Sequence, residues 1–179
     1  MRDEQKQRPS QGLTIWITGL SGAGKTTLAT ALAHKLPGSI LLDGDALRKT
    51  FAVVQTGFDF ESRLKLGLTY GRLAAMLTEQ GQTVIVATIA FFHEVHAWNR
   101  AHIPNYYEVY LDVAEDIRRR RDPKGLYARE KAGTLKNMAG VDLNVQYPLH
   151  PDLTFKDESW SVDAAVSAIL DKTAALRLP

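Results

Sequence analysis

Short apolar runs alternate along this chain with longer stretches whose apolar residues recur every three or four positions. Leu13-Thr14-Ile15-Trp16-Ile17-Thr18 is the first run; short, apolar and rich in β-branched residues, it reads as a buried strand. Thr27 to Leu36 follows as a helix with Leu28, Leu32 and Leu36 on one face. Pro37-Gly38 breaks that pattern, and Ser39-Ile40-Leu41-Leu42 is a second short strand. Lys49 to Gln55 carries little signal, and Thr56-Gly57-Phe58-Asp59 reads as a turn. A helix is expected from Glu61 to Glu79, with Leu66, Tyr70, Leu73 and Leu77 at helical spacing. Thr83 to Thr88 is a third buried strand. Glu94 to His102 reads as a helix ending near Pro104, and Tyr106 to Leu111 as a fourth strand. Val113 to Arg121 is a short helix, Ala139 to Pro151 a loop, and Leu153-Thr154-Phe155 a fifth strand. Ser161 caps a last helix whose stripe is Val162, Ala165, Val166, Ile169, Leu170 and Thr173. Strands that alternate with helices in this way predict an α/β domain of three layers with a five-stranded parallel sheet.

Composition narrows that picture. The chain has 179 residues, 45% of them hydrophobic, which suits one domain with a real core. We assign that domain to residues 12–179. Residues 1–11 are polar, lack an apolar signal segment and read as a flexible tail. A net charge of +2 gives no strong basic field, so no nucleic-acid partner is expected. No apolar run approaches the ~18 residues of a membrane span, so no membrane partner is expected either. The absence of cysteine excludes disulfides and thiolate metal sites and fits a reducing, cytoplasmic setting.

Chemistry concentrates between the first strand and the first helix. Gly19-Leu20-Ser21-Gly22-Ala23-Gly24-Lys25-Thr26 fits G-x-x-x-x-G-K-[ST], the phosphate-binding P-loop, in its required strand–turn–helix context. Glycines let backbone N–H groups converge on an anion, and the helix start adds unpaired N–H groups and the positive end of its dipole. Lys25 reaches the outer phosphates of a nucleoside triphosphate, and the Thr26 hydroxyl can ligand magnesium. Asp43 and Asp45 follow the second strand on the same edge of the sheet. One can orient or deprotonate an attacking hydroxyl, and either can hold magnesium; a turn plus a helix cap is the plainer alternative. The third strand ends without an acid, so this pair must supply the magnesium carboxylate, which favours a small-molecule kinase over a motor or switch protein.

Three further features bear on a substrate. Phe58 is either a base-stacking ring or a core residue. Arg63 opposes the dipole of its own helix, which hints at an anionic partner; a solvated surface arginine is the plainer alternative. His93, Glu94 and His96 lack zinc-site spacing and read as surface or substrate-site residues. Arg118-Arg119-Arg120-Arg121 leads into Asp122-Pro123-Lys124-Gly125-Leu126-Tyr127, and Lys131 and Lys136 continue the basic character. Cations suit a helix C-terminus on dipole grounds, yet a basic run entering a Gly-bearing loop also suits a mobile lid over a triphosphate.

Taken together these residues resemble the adenylylsulfate kinases. The match rests on Gly19 to Thr27, Leu42-Asp43-Gly44-Asp45 with Arg48, Gly57-Phe58 with Arg63, and above all Arg121-Asp122-Pro123-Lys124-Gly125-Leu126-Tyr127. Ala132-Gly133-Thr134-Leu135-Lys136, Gly140-Val141-Asp142 and Pro151-Asp152-Leu153 extend it over about residues 12 to 176. The resemblance implies a P-loop kinase fold with a mobile lid, ATP and Mg2+ as cofactors, and a small-molecule nucleotide acceptor. It also implies a homodimer and a place in sulfate assimilation. The implied reaction moves the γ-phosphoryl group of ATP to the ribose 3′-hydroxyl of adenosine 5′-phosphosulfate. Asp45 and Lys25 would be catalytic. Gly19, Leu20, Ser21, Gly22, Ala23, Gly24, Lys25, Thr26, Thr27, Arg118, Arg121 and Lys124 would bind ATP, and Thr26 and Asp45 would hold the metal. Asp43, Arg48, Phe58, Arg63, Ile89, Lys136 and Met138 would face the acceptor.

Four departures fall on that acceptor side. Leu66 stands for a usual Asn, Ile89-Ala90-Phe91-Phe92-His93 for Ile-Ser-Pro-Tyr-Arg, and Met138 for a second base-clamping Phe; His-Gly-Leu-Asn before Gly57 is missing. Cytidine diphosphoramidate kinases of capsule modification are a divergent branch of the same group, and Trp98-Asn99-Arg100 with Ile103-Pro104-Asn105-Tyr106 resembles such members. A cytidine nucleotide is therefore the alternative acceptor, and a non-catalytic ATP-binding module the alternative from another class.

Overall fold

The computed structural model describes residues 12–52, 57, 59–135 and 138–177. Five parallel strands lie in the order β2-β3-β1-β4-β5: β1 Leu13–Gly19, β2 Ile40–Asp43, β3 Thr83–Thr88, β4 Tyr106–Asp112 and β5 Leu153–Lys156. The expected three-layer α/β domain with a five-stranded parallel sheet is what the chain forms. Among the described residues no helix is long and apolar enough to cross a membrane. The expected N-terminal tail, Phe58 and Lys136 lie outside the described residues.

β1 is central, and all seven of its residues are buried because helices cover both faces. Its alternation sorts the core. Leu13, Ile15 and Ile17 point to one side, where α1 (Lys25–Lys35) contributes Leu28 and Leu32 and α7 (Val162–Thr173) contributes Ala165, Val166 and Ile169. Trp16 points to the other, against Leu66, Tyr70 and Ala74 of α3 (Phe60–Glu79) and Val95 of α4 (His93–His102). Thr14, on the α3 face, closes a 2.6 Å hydrogen bond with Thr78, so its buried hydroxyl is satisfied.

Two short helices were not expected. α2 (Gly44–Phe51) buries only Leu47, and α6 (Leu126–Lys131) buries only Tyr127. Neither carries an apolar stripe long enough to show a period. α1 begins two residues earlier than its apolar pattern, since Lys25 and Thr26 form its polar first turn. α5 (Glu115–Arg121) begins two residues later than expected, because Val113 stays in the core at the strand exit. Ser161 caps α7 as expected, accepting from the Ala164 amide at 3.2 Å.

Candidate active site

The first wall is the turn between β1 and α1. Gly22 and Gly24 take the left-handed region, with φ of 79° and 99°. Close approach also demands glycine at 22: a Cβ there would sit 2.9 Å from the Arg118 carbonyl oxygen. The start of α1 has no side-chain cap and no acid in its first turn, so its N–H groups and dipole are left for an anion. Lys25 donates to the Leu20 carbonyl at 3.0 Å. Lys25 is half-buried. Burial, with the neighbouring charge of Lys124, pulls its pKa down to about 7, against the opposing pull of Asp45 and Asp43.

Asp43 is the helix cap that the plainer reading of the acidic turn expects. Its Oδ1 accepts from the amides of Asp45 and Ala46, at 3.0 and 3.2 Å, and so caps α2. Its Oδ2 accepts from the Thr26 hydroxyl at 2.9 Å, which ties the cap to the P-loop. Asp45, one residue into α2, is free of that duty and forms an ion pair with Lys124 from across the hollow.

These groups open into one hollow of about 850 Å3. Ser21, Gly22, Gly24, Lys25, Thr26 and Thr27 of the P-loop line it, with Asp43 beside Thr26. Asp45, Arg48, Arg63, Ile89, Met138, Arg121, Pro123 and Lys124 line the rest. Lys25 and Asp45 thus share a space large enough for nucleotide chemistry. Gly19, Leu20 and Ala23 lie buried beneath the loop rather than along the hollow.

The arginine run is held by its own neighbours. Arg118 is buried, donates from Nε to the Val113 carbonyl at 2.9 Å, and reaches the Tyr127 hydroxyl, which in turn donates to the Ser21 carbonyl at 3.0 Å. Arg118 therefore supports the P-loop from below and does not line the hollow. Arg119 pairs with Glu115 and Glu130, Arg120 with Asp116 and Glu158, and Arg121 with Glu158. The Asp122 carboxylate accepts from the amides of Tyr127 and Ala128, at 3.2 and 3.0 Å, and fixes the start of α6.

Arg48 donates to the Gly57 carbonyl at 3.4 Å. Burial and the nearby Arg48 both lower the pKa of Arg63, with Asp142 and Asp59 opposing. Arg48 and Arg63 thus lie close enough for each to feel the other's charge, and both line the hollow. Sequence reasoning missed several lining residues. Tyr70 was assigned to the core alone, yet it lines the hollow, and burial pushes its phenol up to about 12. Trp160, between β5 and α7, lines the hollow as well; its ring tip lies 3.7 Å from where a Cβ on Gly24 would sit, and its indole N–H is buried without a hydrogen-bond partner. The signal for Trp160 was positional: the loop after β5 opens at the carboxyl edge of the sheet, where ligands collect. His96 is a correction. It is a buried core residue bonded to Glu108 and the Ala90 carbonyl, because α4 turns that face inward; His93 is exposed.

Known proteins match this geometry closely. The adenylylsulphate kinase family model matches residues 11–156. An adenylyl-sulfate kinase of Gloeothece citriformis is 37% identical over 171 residues, covering 93% of this chain and 95% of its own. A cytidine diphosphoramidate kinase of Campylobacter jejuni is 38% identical over 138 residues, covering 75% of this chain and 80% of its own. Among solved structures, the Mycobacterium tuberculosis APS kinase in complex with AMPPNP and APS superposes with a TM-score of 0.84 at 33% identity, covering 91% of this chain and 98% of that one.

Proposed function

This chain belongs to the adenylylsulphate kinase family, and on that premise we propose that it moves the γ-phosphoryl group of ATP to the ribose 3′-hydroxyl of a nucleotide, with adenosine 5′-phosphosulfate as the first acceptor. The observation that carries this reading is the shared hollow, which Lys25, Asp45 and Lys124 all line, with Lys124 paired to Asp45 and both charges acting on Lys25. The P-loop amides and Lys25 hold the outer phosphates. Asp45 orients the acceptor hydroxyl and takes its proton. Lys124 leaves Asp45 for the transferring group when both nucleotides are seated. Such a reaction needs positioning and charge stabilisation more than covalent help. Arg48 and Arg63 hold the anionic end of the acceptor. Phe58 and Lys136 keep the stacking and anchoring roles that the family resemblance gives them.

The residues present also suit magnesium. The Thr26 hydroxyl and the Asp43 carboxylate, 2.9 Å apart, are hard oxygen donors. Mg2+ is commonly held by one or two carboxylates plus substrate phosphates and water, and no denser cluster of acids or histidines exists among the described residues. When bound, the ion would neutralise charge on the phosphate oxygens. Thr26 and Asp43 would hold it, and Asp45, which lines the same hollow, is the second carboxylate available to it.

At the donor end, the purine of ATP is expected to lie on Trp160, beside Gly24 and Thr27. Base–aromatic stacking contributes about 1–3 kcal/mol, so Trp160→Ala should raise the KM for ATP about tenfold and leave kcat within about threefold. Steady-state kinetics with varied ATP would show this; an unchanged KM removes Trp160 from the base site.

A second acceptor has its own support. The Campylobacter jejuni relative is named for cytidine diphosphoramidate, and the departures at Leu66, Ile89 to His93 and Met138 all lie toward the acceptor. Purified protein with ATP and Mg2+ should be given both acceptors side by side. A kcat/KM for adenosine 5′-phosphosulfate about tenfold or more above the cytidine nucleotide supports the first reading and its place in sulfate assimilation; the reverse order installs the second. ATP binding with transfer to neither would end the kinase reading in favour of a binding module.

A further inference from the structure

Away from the hollow, a run of charged groups lies between α4, β4 and the segment before β5. Glu108 of β4 is 2% exposed. Its Oε1 lies 2.5 Å from Nδ1 of His96. Its Oε2 accepts from Arg100 at 3.3 Å and from the Tyr106 hydroxyl at 3.4 Å. Arg100 also donates to both carboxylate oxygens of Asp152, and Asp152 accepts the Glu108 amide at 2.7 Å. On its far side, Nε2 of His96 lies 2.6 Å from the Ala90 carbonyl oxygen.

The hydrogen-bond arithmetic fixes one nitrogen of this ring. A carbonyl oxygen only accepts. Nε2 of His96 therefore carries hydrogen and donates to the Ala90 carbonyl, and one further proton lies between Nδ1 and Oε1 of Glu108, whose Oε2 takes the bonds from Arg100 and Tyr106. Charge balances wherever that shared proton sits, because Arg100 is set against Asp152.

What the ring grips matters for the hollow. Ala90 lies between Ile89, which lines the hollow, and Phe91, which packs on Leu20 of the P-loop and on Ala139 beside Met138. The Phe91 carbonyl accepts the Gln146 amide at 3.0 Å, and the Gln146 side chain accepts the His93 amide at 2.8 Å. One anchored carbonyl therefore braces Ile89, in the lining of the hollow, and through Phe91 and His93 the segment at residues 144–147 beside it.

We propose that His96, oriented by Glu108, is a positioning residue for the acceptor: its Nε2–H pins the Ala90 carbonyl and so sets Ile89, which lines the hollow, and Phe91 packed behind it. The proposal rests on the reading above in placing the acceptor there. Its tests separate the two. In wild-type protein, nitrogen NMR of the histidine rings should show one ring with Nε2 protonated and slow to exchange, lost in His96→Gln. A His96 ring with Nε2 unprotonated overturns the proposal, and this measurement needs no variant activity. Gln keeps one donor group but cannot serve both partners. Amide exchange over residues 89–93 and 144–147 should then quicken about tenfold in the variant while α1 is unchanged. Uniform acceleration, or none, counts against the proposal. With whichever acceptor the wild type turns over, KM for the acceptor should rise about tenfold and KM for ATP should stay within about twofold. Parallel rises in both, or in neither, overturn it. If no acceptor is turned over, the kinase reading fails while the ring and exchange measurements still decide this one.

Discussion

Lys25→Met should lower kcat/KM for phosphoryl transfer by roughly 10²–10³-fold, the scale of removing one preorganised charge from a transferring group. Methionine keeps much of the stem, so the fold should persist and the loss should be read as chemistry. The pH behaviour makes the test sharper. In the substrate-free protein the Lys25 pKa is about 7, against 10.5 for a free lysine side chain, because burial and the charge of Lys124 disfavour its ammonium form. Phosphates in the hollow favour the charged form and raise that pKa again. Near about pH 8 most free sites hold a neutral Lys25, so each ATP that binds should bring in close to one proton. ATP affinity should then strengthen as the pH falls toward about 7 and level off below it for this group. The stability sign runs the other way. Between about 7 and 10.5 the unfolded chain holds the extra proton, so the empty protein gains stability from this group as pH rises through that window. Titration calorimetry in buffers of different ionisation enthalpy measures the proton directly. Equal proton uptake by wild type and Lys25→Met would show that Lys25 does not meet the phosphates.

The two halves of the site differ in how far they could be seen without coordinates. The donor half is local. Its glycines, lysine and threonine are contiguous, and the strand before and helix after them carry clear periods, so motif and context agree. The acceptor half is assembled from α2, α3, the segment after β3 and the segment near Met138, and no short stretch announces it. Tyr70 shows the difficulty: helical spacing correctly placed it in the core, yet one end of a buried ring can still reach a hollow. His96 shows the converse. On a polar-looking stretch it read as a surface group, and only the register of α4 against β4 brings it to Glu108.

The same logic separates the long elements from the short ones. β1, β3 and α3 were legible because burial repeats along them and leaves a period. α2 and α6 each bury one side chain and are fixed instead by carboxylates, Asp43 and Asp122, that accept amide N–H groups at their starts. A cap looks like a turn until the next residues are seen to be helical. The arginine run misled for a related reason. Charge counted along the sequence suggested cations aimed at a ligand. In the fold, Glu115 and Asp116 lie one turn before Arg119 and Arg120, and Glu158 comes in from the loop after β5. Only Arg121 of the run reaches the hollow, and Lys124 goes furthest across it.

Asp45→Asn should cost kcat about 10²–10⁴-fold, the usual weight of a positioned general base, while KM for ATP moves little because the P-loop is untouched. Asparagine fits the same space and still accepts a hydrogen bond, but it cannot take the hydroxyl proton. Stability should scarcely change. Asp45 and Lys124 are both more than half exposed as side chains, at 62% and 52%, and an exposed ion pair contributes about 1 kcal/mol or less. Asp43→Asn provides the contrast. It weakens a capping acceptor and the partner of Thr26, so it should lower the melting temperature and raise the Mg2+ needed for half-maximal rate. Neighbouring carboxylates would then fail in different ways, one in proton transfer and one in holding the metal and the helix start. A kcat for Asp45→Asn within about threefold of wild type, with ATP and acceptor both saturating, would mean that the acceptor proton leaves by another route.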